Sequence, residues 1–271
     1  MFRSDRILSL KVMDRRADPQ LAISEWLDRR TTKEPVAPLR LYVELTKEGI
    51  RQWKRGTFFH YNNFEVILFM RSVFIIGDSI SIQYGPYLKK MVEHRFEYDR
   101  KRGEEQALAD LDHPVGANGG DSSMVLTYLK NERDKGVRYD LLLINCGLHD
   151  MKTHPLTGEK QVPPEQYRTN LEEIVLTARK LSKSLIWIRT TDAVEEIHNT
   201  KTSSFFRYHE DVITYNTIAD EVMSSHDVPM LDLYSFTRIF GTSAYCDHVH
   251  FTEEVRRLQA AYIAGYLENY R

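Results

Sequence analysis

The stretch "SVFIIGDSISIQYG", Ser72 to Gly85, decides how the chain is read. Val73 to Ile76 is a short continuous apolar run, the pattern of a parallel strand buried on both faces, and small and polar residues follow it where a chain would leave a sheet. Ser79 then falls at a carboxyl strand end. Open α/β sheets bind ligands at that edge, and a tight strand-to-helix turn can present a serine there as a nucleophile. Gly-Asp-Ser is equally good turn and helix-cap chemistry, so these three residues alone leave both readings open.

Working outward, apolar strands alternate with amphipathic segments from residue 70 onward, the pattern of a parallel sheet covered by helices. After a strand at 72–77 the pattern predicts a helix near 82–95, a weak strand at 96–98, and the glycine-rich loop "HPVGANGGDSS". Asp121 or Ser122 can cap a helix near 123–135. "YDLLLINCG" is the clearest strand, followed by a long loop and a helix at 164–181 whose tandem prolines suit a first turn. "SLIWIRTT" is another buried strand, a helix near 206–226 leads to a short strand "PMLDLY", and Thr252 caps a final helix. No internal repeat or low-complexity segment interrupts this order.

The first 69 residues follow different rules: they are rich in charge, and "LRLYVELT" and "FEVILFM" are their plausible strands. The expected division is therefore an N-terminal extension, 1–69, of unknown role, and an α/β domain, 70–271. Met70 directly precedes the first α/β strand and would be a natural start for a compact domain.

With 271 residues the chain can bury a full core. Its 37 basic and 39 acidic residues are interspersed and give a net charge of −2, which leaves no electrostatic footprint for nucleic acid or an anionic membrane. "MFRSDRILSLKVMDRRAD" has no apolar core of signal-peptide length, and no stretch approaches the length of a membrane span, so the expected location is cytoplasmic. Cys146 and Cys246 are too few for a disulfide framework or a cysteine zinc site; reduced thiols are the default and a bridge between them the alternative.

A serine nucleophile needs a base, and the base needs an acid to hold its tautomer. In "YCDHVHFTEEV", Asp247 and His250 stand three apart just before the last helix, so one short segment could bring both to Ser79. The alternatives are a solvated pre-helix loop, a metal site made by Asp247, His248 and His250, or His248 as the base. Acyl transfer also needs donors aimed at the developing oxyanion. Gly119 and Gly120 lie in a loop entering a helix, where free N–H groups favour negative charge, and "INCGLHD" adds Gly147, His149 and Asp150 after the clearest strand.

Taken together and in this order, these stretches resemble the blocks of the SGNH/GDSL hydrolase family over essentially all of residues 70–271. Gly77-Asp78-Ser79 matches the nucleophile block, Gly120 the glycine whose N–H joins the oxyanion hole, and Asp247-x-x-His250 the acid and base of the triad. The resemblance implies a flavodoxin-like, three-layer α/β/α fold with a doubly wound parallel sheet. It also implies hydrolysis of carboxylic esters through an acyl-serine intermediate, with Ser79 N–H among the oxyanion donors and with neither metal nor cofactor. One block departs from the family: "GLHD" places His149 where an asparagine usually donates to the oxyanion. A neutral imidazole donates one N–H and a protonated one two, so His149 is the first candidate for that role, ahead of Asn118 and then Asn145.

The variant block and the long segment after "TTDAVEEIHN" are similar to carbohydrate-esterase-like members, which points to acetyl or short acyl esters, O-acetylated carbohydrate among them. A lipase, lysophospholipase or thioesterase could use the same triad, and a non-catalytic carbohydrate-binding protein could keep the fold. Asn118, Tyr84, Thr191 and Arg207 are polar or aromatic groups near the expected strand ends and are the candidates for touching substrate.

Overall fold

The computed structural model describes strand backbone at 9–12, 40–44, 58–61 and 64–67, and then residues 70–201 and 204–270. The four early strands are β1 (Ser9–Val12), β2 (Arg40–Glu44), β3 (Phe58–Tyr61) and β4 (Phe64–Ile67). They form one sheet in the order β1-β2-β4-β3, in which only β2 and β4 run parallel. Both segments expected as strands in this region contribute one. This sheet belongs to one compact unit; a second unit, Ser72–Val92 and Tyr98–Arg271, is described next.

The second sheet contains β5 (Arg71–Ile76), β6 (Phe96–Arg100), β7 (Tyr139–Ile144), β8 (Ser182–Ile188) and β9 (Met230–Leu231). It is parallel, with the order β6-β5-β7-β8-β9, so the first strand of the α/β pattern lies second and the chain winds outward in both directions. This is the flavodoxin-like doubly wound order, which opens a crevice beside its first strand, at the carboxyl ends. Val73, Ile75, Leu141, Leu142, Leu143, Ile144, Ile186 and Trp187 are all fully buried, which accounts for the uninterrupted apolar runs in the sequence.

Eight α-helices are described: α1 (Ser79–Val92), α2 (Glu104–Ala109), α3 (Ser122–Asp134), α4 (Pro164–Leu181), α5 (Glu195–Lys201), α6 (His209–Ser225), α7 (Leu233–Arg238) and α8 (Glu253–Asn269). Six of them fall into two groups about the sheet, α1 with α7 and α8, and α3 with α4 and α6, which makes the three-layer α/β/α fold. Asp121 caps α3 by accepting the Met124 N–H at 3.0 Å, and Pro164 opens α4.

Some boundaries differ from expectation. The first helix begins at Ser79 rather than near residue 82, because Asp78 supplies its cap. "PMLDLY" contributes only two strand residues: Asp232 accepts the Ser235 N–H at 3.0 Å and starts α7 instead. The helices α2 and α5, short and weakly periodic, have no clear signature in the sequence. Both cysteines are free thiols, Cys146 buried and Cys246 exposed. No described helix is long and apolar enough to cross a membrane.

Candidate active site

The turn from β5 into α1 is shaped by close packing. A Cβ on Gly77 would stand 2.8 Å from Ser81 Cβ, so only glycine lets the chain reverse this tightly. Asp78 then caps the helix: its carboxylate accepts the Ile80 N–H at 3.0 Å, and its main-chain carbonyl accepts the Ser81 hydroxyl at 2.6 Å. Ser79 is thereby the first residue of α1, where the N–H lies outside the helical ladder and the dipole favours negative charge. Burial raises the Asp78 pKa, and the Ile80 N–H works against that rise.

The base comes from the other end of the chain. Tyr245 and Phe251 pair across an antiparallel bridge, and the Cys246 N–H donates to the His250 carbonyl at 2.9 Å, which closes the loop that carries His250. This loop leads into α8, which packs on α1, and the Tyr87 hydroxyl of α1 donates to Glu253 of α8 at 2.9 Å. His250 Nε2 consequently sits 2.8 Å from Ser79 Oγ, and His250 Nδ1 sits 2.8 Å from Asp247 Oδ2.

The second Asp247 oxygen accepts the N–H groups of Val249 at 2.8 Å and His250 at 2.7 Å. Burial tends to raise the Asp247 pKa, but these N–H groups and the imidazole outweigh it and hold the carboxyl below its ordinary value. An ionised Asp247 requires the proton of a neutral His250 to be on Nδ1, which leaves Nε2 free to accept from Ser79. His248 does not join this chain. Its Nε2 faces Asp112 at 3.7 Å, so Asp247, His248 and His250 do not converge on a common point.

The glycine-rich loop docks directly onto the nucleophile turn, with the Gly119 N–H donating to the Gly77 carbonyl at 2.9 Å. Gly120 has φ +72°, in the left-handed region. Its N–H donates to Asn118 Oδ1 at 3.0 Å, so the expected oxyanion donor already has a partner. Asn118 itself is fully buried and its Nδ2 reaches the Leu111 carbonyl at 3.4 Å, so its side chain fastens the loop. Asn145 is likewise committed, donating to the Ile188 carbonyl at 2.9 Å and to Thr190 Oγ1 at 3.1 Å. Both asparagine side chains therefore have partners inside the fold.

His149 is buried and its Nδ1 has no hydrogen-bond partner. Burial, reinforced by the charges of Lys152 and Arg207, pushes its pKa well below the ordinary histidine value. The shift favours the neutral imidazole, which offers a single N–H. Of the remaining substrate-side candidates, Tyr84 and Thr191 are both buried and line one recess with Asp78, Asn145 and Leu233. Arg207 is buried and donates from Nε to the Leu148 carbonyl at 2.9 Å.

Solved structures share this arrangement of strands and helices. A lipase/acylhydrolase from Enterococcus faecalis superposes with a TM-score of 0.55 at 19% identity, over 73% of this chain and 96% of that one. A member of the lipolytic G-D-S-L family from Veillonella parvula gives 0.52 at 14% identity, over 73% and 99%. The fold is that of the SGNH/GDSL hydrolases. Axe2, an acetylxylan esterase from Geobacillus stearothermophilus, gives 0.51 at 16% identity, over 74% and 95%. No protein-family model and no curated protein matches the chain.

Proposed function

We propose that this protein is a serine esterase that hydrolyses carboxylic esters with acetyl or short acyl groups, O-acetylated carbohydrate among them. The observation that carries this reading is the unbroken chain Ser79 Oγ, His250 Nε2, His250 Nδ1, Asp247 Oδ2, with both steps at 2.8 Å. Its order and spacing are those of a nucleophile, a general base and an orienting acid. The SGNH/GDSL fold adds support, because solved structures that share it include an acetylxylan esterase and a lipase/acylhydrolase.

In this mechanism His250 Nε2 takes the Ser79 proton as Oγ attacks the ester carbonyl carbon. The carbonyl oxygen becomes an oxyanion, stabilised by the Ser79 N–H, the His149 N–H and the Gly120 N–H. The Gly120 donor leaves Asn118 Oδ1 for the oxyanion, a charged and therefore stronger acceptor. Collapse of the tetrahedral intermediate expels the alcohol, which takes the proton from His250, and leaves acyl-Ser79. Water, deprotonated by the same imidazole, then releases the acid and restores the serine.

The test is hydrolysis of p-nitrophenyl esters from acetate to laurate, with an O-acetylated sugar in parallel, by the wild type and by Ser79→Ala. Activity on acetate and on the sugar, lost in Ser79→Ala, is the expected result. Full activity in a pure Ser79→Ala preparation would overturn the nucleophile, and rates that rise with chain length would replace the acetylesterase with a lipase or thioesterase.

A further inference from the structure

Two cations share one aromatic ring, that of Phe205. The Lys152 ammonium lies 4.4 Å from the centre of the Phe205 ring and the Arg207 guanidinium carbon 5.0 Å from it. Like charges so placed repel each other, and among the described residues no carboxylate comes within ion-pairing distance of either. The nearest acid, Asp112, gives only its main-chain carbonyl to Lys152 Nζ, at 3.4 Å, and turns its carboxylate to His248 at 3.7 Å.

Arg207 is the more unusual of the two. It is 2% exposed, and although Nε donates to the Leu148 carbonyl, Nη1 has no partner. A buried guanidinium with an unmet donor and no carboxylate in direct ion-pair contact is costly, since the more distant charges of Asp112 and Asp78 repay only part of its desolvation. Arg100, equally buried, is better supplied: Nη1 and Nη2 donate to the Ser81 carbonyl and hydroxyl at 2.9 and 3.1 Å, and Glu104 lies 3.8 Å from its Nε, although that Nε also lacks a hydrogen-bond partner.

The two cations are felt in the groups around them. Burial and then Arg207 push the Lys152 pKa down to about 8 against the charges of Asp112, Asp121 and Asp110, and burial pushes Arg207 down to about 10 against those of Asp112 and Asp78. Burial and the charge of Arg207 likewise hold His198 down to about 3. These groups lead to the catalytic residues. Leu148, held by Arg207, precedes His149, and the rings run from Phe205 to His198 at 5.2 Å, to His248 at 4.7 Å and to His250 at 6.4 Å.

We propose that Arg207 and Lys152 form an anion subsite beside Ser79, and that the ester cleaved there carries a carboxylate or phosphate close to the reacting carbonyl. The inference rests on the ester-hydrolase reading and narrows its substrate class to anionic esters. Lys152, half-buried on a flexible stem, is the movable wall: an incoming anion draws the ammonium from the ring and takes the open Nη1 donors of Arg207. Asp112 forms the acidic rim of the subsite.

The test compares three acetyl esters that differ in one group: O-acetylated methyl glucoside, its glucuronate counterpart and its 6-phosphate counterpart. Wild type should show kcat/KM at least about tenfold higher on one anionic ester than on the neutral one, with the preference shrinking as salt rises. The better of the two anions identifies the group. In Lys152→Gln and Arg207→Gln the anionic-to-neutral ratio should fall towards one; Lys152→Gln, at a half-buried position, serves if the arginine variant does not fold. Equal rates on all three esters in the wild type, or variants that lower every ester by one common factor, would overturn the subsite and leave Arg207 a purely structural support for Leu148. If no ester is cleaved, the esterase reading fails separately. The subsite is then decided by calorimetric titration of inorganic phosphate and of glucuronate at low salt, where saturable binding weakened by Lys152→Gln upholds it and no saturable binding overturns it.

Discussion

The Asp150 carboxylate accepts the Ser122 N–H at 2.8 Å and so ties the loop after β7 to the first residue of α3. Asn170 supports the same corner, donating to Ser122 Oγ at 2.8 Å and to Ser123 Oγ at 2.9 Å. The bond spans two of the sequence blocks that resemble a hydrolase, since Asp150 follows His149 and Ser122 follows Gly120 by two residues. Any oxyanion donors on these loops are held in register by it.

Asp150 also sets a pH dependence. It is fully buried, and burial raises its pKa to about 8 against the opposing Ser122 hydrogen bonds. The unfolded chain ionises this group near the ordinary aspartate value, whereas the folded chain keeps its proton until about pH 8. Its contribution to stability is therefore complete below about pH 4 and is lost progressively as pH rises to about 8. Asp150→Asn retains an oxygen acceptor for Ser122 and has no proton to lose. Denaturant unfolding should show a shallower decline for the variant between pH 4 and 8, and parallel curves for the two proteins would show that Asp150 is ionised in the fold.

Asp247→Asn should lower kcat by about a thousandfold to ten-thousandfold, because it fixes the wrong tautomer of His250. Oδ1 is pinned by the N–H groups of Val249 and His250, so the new amide must present its NH2 to His250 Nδ1. Nδ1 then becomes an acceptor, the proton moves to Nε2, and Nε2 can no longer accept from Ser79. A kcat within tenfold of wild type, in a variant with wild-type thermal stability, would show that Asp247 does not set the tautomer.

Much of this arrangement was legible in the chain, and the rest was hidden for physical reasons. The strands β5, β7 and β8 are buried on both faces and so write continuous apolar runs; β9 is two residues long and gives way to α7 at the Asp232 cap. Ser79, Asp247 and His250 stand in recognisable local patterns, and the structure places them in one hydrogen-bonded chain. What Asn145 and Arg207 do depends on partners distant along the chain, whereas Asn118 is held by its own loop. Nothing near Arg207 in sequence reveals that its guanidinium is buried without a carboxylate, or that it shares Phe205 with Lys152.

Gly120→Ala tests whether the glycine-rich loop must hold its shape. At φ +72° an alanine sits in the left-handed region, at a cost of about 1–2 kcal/mol, and its Cβ would meet Met124 Sδ at 2.5 Å and Pro114 Cβ at 3.0 Å. Met124 can swing aside and Pro114 cannot. The loop should shift, the protein should lose about 1–3 kcal/mol in denaturant unfolding, and kcat should fall further than stability alone explains. Unchanged kcat beside the expected stability loss would remove the Gly120 N–H from the oxyanion site.

His149 is the residue on which the oxyanion reading turns. Burial, Lys152 and Arg207 favour its neutral form, which keeps one N–H to donate. His149→Ala should lower kcat by about a hundredfold to a thousandfold with little change in KM, the usual consequence of losing one oxyanion donor. A loss of packing would produce the same number, so the second variant decides. His149→Asn restores a side-chain N–H donor while leaving part of the imidazole's volume empty, and its kcat should recover to within about tenfold of wild type if donation is what matters. An asparagine variant as slow as the alanine one, with both folded, would assign His149 to packing and leave the main-chain N–H groups to carry the oxyanion.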